Sequence, residues 1–219
     1  MDFMMKNASI NTEKRVKLFE NPILEALTVS TPVESTFSSL GISAVCIWLG
    51  FLITPAATVN QAATWAGIGL ASWSLFEYLL HRFLFHLPDR AFRGAHRFTY
   101  VLHGVHHDFP DDARRTLMPF APKLVFSVVF FGMFFLIFGQ NGPFFSAGFL
   151  FGYYIYSMIH YAIHQYKAPK ILKFLWAHHH VHHHLENNRA FGVTSRLWDR
   201  IFNTMPSRTK EKRPTTVGK

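Results

Sequence analysis

All fourteen histidines of this 219-residue chain fall between His81 and His184. They come in tight sets: His81 and His86; His103, His106 and His107; His160 and His164; and the run His178–His184, broken only by Val181. Neutral imidazole is the commonest metal ligand, and its nitrogen suits zinc, iron, copper and nickel. A lone histidine on an apolar helix is usually a hydrogen-bonded core residue. Repeated sets at ligand spacing are those of a metal protein.

The spacing has a geometric meaning. His103, His106 and His107 stand at i, i+3 and i+4, which predicts one helical face, and the pattern recurs at His179, His182 and His183. His160 and His164 are one turn apart. His81 and His86 are five apart, so a regular helix would splay them, and Leu87-Pro88-Asp89 predicts a helix that stops near His86. One ion rarely takes more than six ligands, so this many spaced histidines argue for two ions. An affinity tag would be terminal and uninterrupted, and a metal sponge would not need further sets along the chain.

The elements that must position these residues are apolar. Hydrophobic residues make up 49% of the chain, with 24 phenylalanines, and only 16% are charged, against roughly 25% in an ordinary soluble domain. Cys46 is the sole cysteine, so neither disulfides nor thiolate ligation contribute. Met1–Asn21 has no apolar core of a cleavable signal. The net charge of +9 comes without a basic, aromatic-interleaved recognition motif, which argues against nucleic acid and for an anionic lipid surface.

Four apolar stretches, Phe37–Thr54, Ala62–Leu80, Lys123–Phe138 and Pro143–Tyr161, approach the roughly 17–25 residues of a spanning helix. They predict an all-α integral membrane fold of four transmembrane helices in two hairpins, capped by a cytoplasmic, histidine-rich helical layer. All 22 Lys and Arg lie outside Phe37–Leu80 and Leu124–Ile159, and the turns Pro55–Gln61 and Gly139–Gly142 carry no charge. The positive-inside rule then puts both termini and every histidine set on the cytoplasmic side. The expected layout is a cytoplasmic segment over residues 1–36 with an interfacial helix at Arg15–Thr28, a membrane domain over 37–206, and a disordered tail over 207–219. Glu77, four residues before His81, is the only acid within a predicted span and is read as an acceptor for a ligand imidazole; an interfacial carboxylate is the alternative.

The runs Glu77–His86, His103–Asp112, Tyr154–His164, His179–His183 and Phe191–Asp199 resemble, in order, the histidine boxes of the fatty acid hydroxylase superfamily. They are most similar to its fatty acid 2-hydroxylase (sphingolipid alpha-hydroxylase) branch, and Leu18–Pro22 resembles that branch's entry segment. The resemblance covers residues 15–206. It implies a dimetal site held by His81, His86, His103, His106, His107, His160, His164, His179, His182 and His183, with Asp108 and Asp199 as candidates to accept an imidazole N–H. His96, His178, His180 and His184 fall outside the boxes, His178 being the hardest to exclude in so dense a run.

The implied chemistry is an oxygen-dependent hydroxylation at carbon 2 of a fatty acyl chain, free or in a ceramide-like lipid. Iron is expected and zinc is possible at the two metal positions. Eukaryotic members often carry a haem-binding cytochrome domain before the shared region. Here a separate cytochrome- or ferredoxin-type electron donor is expected, in a bacterial inner membrane or the endoplasmic reticulum. A sterol desaturase/oxidase, a carotenoid hydroxylase and a non-catalytic metal-binding membrane protein are the alternatives.

Overall fold

The computed structural model describes residues 16–88, 91 and 93–207, and among these there is no β-strand. The nine α-helices of this region are α1 (Pro22–Ala26), α2 (Pro32–Ile53), α3 (Val59–Leu79), α4 (Ala95–Thr99), α5 (Val105–Asp108), α6 (Phe120–Phe138), α7 (Gly142–Gln165), α8 (Lys173–His184) and α9 (Leu197–Ile201). The four apolar stretches each lie in one of the long helices α2, α3, α6 and α7. Among the described residues, two stretches are long and apolar enough to cross a membrane, Pro32–Ile53 and Ala113–Gln165, the second containing both α6 and α7.

The long helices start where local chemistry tells them to. Thr31 caps α2 by accepting the Glu34 N–H, with Pro32 in the first turn where no N–H is needed. Thr58 caps α3 through the Gln61 N–H. Gly139, at φ +55°, makes the left-handed turn between α6 and α7 that a side chain would strain.

Helix α7 is the central element, packing along α3, α2 and α6. Its approach to α3 is close enough that a Cβ on Gly148 would collide with the Ala66 backbone, and one on Gly69 with the Phe145 carbonyl. Small residues let backbones meet in this way and draw the larger neighbours into contact. Around that seam Phe149 meets Trp73, Phe130 and Phe134 at centroid separations of 5.1, 5.2 and 4.8 Å. At the end of this bundle nearest the histidines, buried Lys123 of α6 donates to Ser38 at 2.6 Å and pairs with Glu34 of α2 at 3.4 Å.

The N-terminal segment differs from the expected interfacial helix. Only Pro22–Ala26 is helical, started by the Asn21 side chain, which accepts from the Ile23 and Leu24 N–H groups. The residues before it are not helical and are pinned by buried Arg115, which donates to the Val16 carbonyl at 2.7 Å and pairs with Glu25. Ile23 and Leu27 are exposed, as an interfacial role requires. Arg15 and the tail beyond Ser207 lie outside the described residues.

Candidate metal centre

Two departures from the regular α-helix place the first histidines. Leu80–Phe85 winds as a π-helix continuing α3, and His86 ends it at φ −105°, ψ 35°. The wider π-turn hydrogen-bonds i to i+5, so His81 and His86, which an α-helix would splay, come to a ring separation of 5.2 Å. A second π-segment, Tyr100–Gly104, carries His103 and runs into α5 with His106 and His107. His160 and His164 lie on the last turns of α7, and His179, His182 and His183 on α8.

These ten side chains gather into two groups of five. Group one is His81, His86, His103, His107 and His182; group two is His106, His160, His164, His179 and His183. Within each group the five ligand atoms lie within 4.8 Å of one another. The groups adjoin, since the His107 and His183 rings stack at 4.1 Å.

The histidines of each triplet, though close on one helix, do not all turn to the same group. His103 and His107 turn to group one while His106 turns to group two; His179 and His183 turn to group two while His182 turns to group one. Successive helical residues point about 100° apart, so i+3 and i+4 can diverge when targets lie on both sides of the helix. Each triplet thus gives an i, i+4 pair to one group and a single imidazole to the other.

The nitrogen contacts fit metal ions better than hydrogen bonds. His81 Nδ1 lies 2.6 Å from the Phe191 carbonyl and His182 Nδ1 lies 2.7 Å from the Arg189 carbonyl. A carbonyl only accepts, so each Nδ1 holds the proton and each neutral ring presents a bare Nε2 lone pair. Those lone pairs face other Nε2 atoms, His103 at 3.1 Å and His86 at 3.0 Å. In group two His106 Nε2 is 3.0 Å from His160 Nε2 and 3.1 Å from His164 Nε2, which is itself 2.9 Å from His179 Nε2. A ring nitrogen offers one in-plane bond, so it cannot satisfy two partners with a proton. Ligands at right angles around an ion with metal–nitrogen bonds of 2.0–2.1 Å stand about 3.0 Å apart. Each group therefore fits one metal ion.

Electrostatics agrees. Burial, then mutual repulsion among neighbouring imidazoles, holds His81, His103, His106 and His179 well below the ordinary histidine range. Burial brings His86 and His182 down to about 4, and burial with neighbouring histidines brings His107 to about 2. The shifts favour the neutral ring, the form that binds metal.

The three carboxylates take different partners. Glu77 does not meet an imidazole in the structure. Its Oε1 accepts the Val193 and Thr194 N–H groups at 2.6 and 2.8 Å, and its Oε2 the Thr194 hydroxyl. One turn before His81 it points at the returning chain, whose free N–H groups claim a buried acceptor. Asp108, the last residue of α5, is set against the Tyr100 phenol, which burial and that carboxylate push up to about 12. Asp199 does accept from an imidazole, His178 Nε2 at 2.9 Å, but His178 belongs to neither group. Asp199 also takes the Phe191 and Gly192 N–H groups at 3.0 and 2.8 Å and the Thr204 hydroxyl at 2.8 Å.

Glu77 and Asp199 thus hold the segment Phe191–Thr194 from both ends, and that segment supplies the carbonyl that orients His81. Asp199 was expected from the sequence to accept an imidazole N–H, but its pairing with His178 and Thr204 and the two orienting carbonyls were not. Of the histidines outside the boxes, His96 is exposed and stacks on Tyr100 at 6.2 Å, and His180 and His184 are exposed. A cavity of about 360 Å³ opens beside group one, lined by His86, His103 and His107 with Thr99, Tyr100, Asp108, His96 and Asn187 among its neighbours. No group-two residue lines it.

Fold and site together define a helical protein with two adjoining all-histidine groups that fit metal ions. Residues 65–204 match the family profile "Fatty acid hydroxylase". The dihydroceramide fatty acyl 2-hydroxylase FAH2 of Arabidopsis thaliana is 33% identical over 87% of this chain and 80% of its own length. The ceramide very long chain fatty acid hydroxylase scs7 of Schizosaccharomyces pombe is 36% identical over 73% of this chain. The fatty acid 2-hydroxylase of Macaca fascicularis is 37% identical over 63%. The chain spans less than half of these last two relatives, 47% and 38% of their lengths. A solved structure of full-length scs7p, in which only the hydroxylase domain is visible, superposes with a TM-score of 0.77 at 30% identity, covering 87% of this chain and 72% of that one. The chain belongs to the fatty acid hydroxylase family.

Proposed function

We propose that this chain is a membrane-bound, oxygen-dependent hydroxylase that places one oxygen atom on carbon 2 of a fatty acyl chain, free or carried by a ceramide-like lipid. The single observation that carries the reading is the pair of adjoining five-imidazole groups, in a chain whose relatives are named for acting on fatty acyl chains and ceramides. Those names favour it over a sterol or carotenoid substrate and over metal binding without catalysis.

His81, His86, His103, His107 and His182 hold one ion, and His106, His160, His164, His179 and His183 the other. Redox-active iron at both positions would supply the oxygen activation that an unactivated C–H bond requires, whereas zinc has no redox chemistry. The protein's own part is positional. Ten neutral ligands leave the ionic charge uncompensated by carboxylate, the Phe191 and Arg189 carbonyls fix two tautomers, and group two lies away from the cavity. The cavity beside group one admits the substrate's polar end.

The four long helices form two hairpins across the bilayer, with both termini and the histidine layer cytoplasmic. The distribution of Lys and Arg supports this, as do the outward apolar side chains of α2 and α6, among them Phe37, Trp48, Val125 and Leu136. Residues 37–206 constitute the hydroxylase-like membrane domain, preceded by the cytoplasmic segment 1–36. The electron donor we infer is of the cytochrome or ferredoxin type and meets the basic cytoplasmic face.

The test is the lipid profile of cells expressing this chain beside cells expressing His103→Ala. Total lipid is hydrolysed and searched by mass spectrometry for acyl chains heavier by one oxygen, located by fragmentation. A 2-hydroxy product present with the wild type and absent with the variant is expected. Oxygen at another carbon, or a product that survives in the variant, contradicts the reading.

A further inference from the structure

The run His178–His184 puts imidazoles on every side of α8, and the two groups use only part of them. His179, His182 and His183 turn inward, and His178 meets Asp199. His180 and His184 remain on the solvent side, both exposed. They are one helical turn apart, with ring centroids 4.9 Å apart and an interplanar angle of 73°.

The three i, i+4 pairs that serve the buried groups show what such a pair does. Their separations and angles are 4.7 Å and 71° for His103/His107, 5.0 Å and 79° for His160/His164, and 4.5 Å and 64° for His179/His183. The outward pair falls inside both ranges. It repeats the half-site from which each buried group is built, without the other helices that complete those groups.

We propose that His180 and His184 form a third metal site, solvent-facing and weaker than the buried pair, for a divalent transition ion such as zinc. Two imidazoles bind the ion and water completes its shell, an arrangement suited to zinc, copper or nickel. The site shares α8 with three residues of the buried groups yet uses none of their side chains. A preparation in contact with free metal then carries more than two equivalents.

The test uses untagged, metal-loaded protein dialysed against micromolar free zinc, with bound metal counted by elemental analysis. Wild type should take up one zinc beyond its tightly held ions, and the double variant His180→Ala/His184→Ala should not. Either single substitution should weaken that uptake on the order of 100-fold, the advantage of linking two ligands on one scaffold. The tightly held ions should remain in all variants, which reports an intact fold. Failure of wild type to bind the extra zinc, or its retention by the double variant, overturns the proposal.

Discussion

The two histidine groups have the same number of ligands but are held differently. Group one depends on a loop: its His81 and His182 rings are aimed by the Phe191 and Arg189 carbonyls, and Asp199 and Glu77 pin the loop. Group two depends on helices. Its residues come from α5, α7 and α8, and the Nδ1 atoms of His106, His179 and His183 are buried without a protein partner. Group one borders the cavity and group two does not. The contrast suggests a division of labour in which the helix-held position is constant, while the loop-held position is tunable and faces the cavity.

Removing a ligand should have the largest effect and should separate the groups. His103→Ala should release the ion of group one, and His160→Ala that of group two, each leaving one tightly held equivalent by elemental analysis. Both should cut 2-hydroxylation by more than the roughly 10–100-fold seen when only an outer partner of a ligand is lost. Turnover that survives the loss of group two would show that the ions do not act as a pair.

The next largest effect tests the loop. Asp199→Asn keeps the shape but removes the charge that gathers the Phe191 and Gly192 N–H groups, the Thr204 hydroxyl and His178. Metal affinity should fall roughly 10–100-fold at group one and stay unchanged at group two, as chelator competition would read. Glu77→Gln should act in the same direction but more weakly, because it holds Val193 and Thr194, farther along the loop from the carbonyl that aims His81. Equal losses at both groups would mean that these carboxylates support the whole fold and the contrast is false.

Much of this arrangement was legible in the sequence, and the limits were physical. Local periodicity marks the apolar cores of α2, α3, α6 and α7 and the i, i+4 pairs, because these repeat within a turn or two. It cannot say where a side chain goes once two targets flank one helix, so the division of His103, His106 and His107 was hidden. The π-segment at Leu80–Phe85 was visible only as an awkward five-residue spacing with a proline beyond it. Glu77 misled because its nearest histidine in sequence is not its partner; the partners, Val193 and Thr194, lie 116 and 117 residues away. Contacts of that range follow from the packing of α3 against the returning chain, which no window on the sequence contains.

The smallest effect belongs to the cavity. Asn187 is exposed at its edge and belongs to neither group, so Asn187→Leu should leave the fold and both metal equivalents intact. If the polar end of the substrate reaches group one through this opening, the variant loses a contact worth about 1 kcal/mol, the net value of one hydrogen bond. That corresponds to a KM raised by roughly fivefold. The turnover number should hold, because the contact is made equally before and during the reaction. A lowered turnover with unchanged KM would place Asn187 nearer the chemistry than its position suggests. No change in either would move substrate entry away from this cavity, and with it the argument that group one is the position facing the substrate.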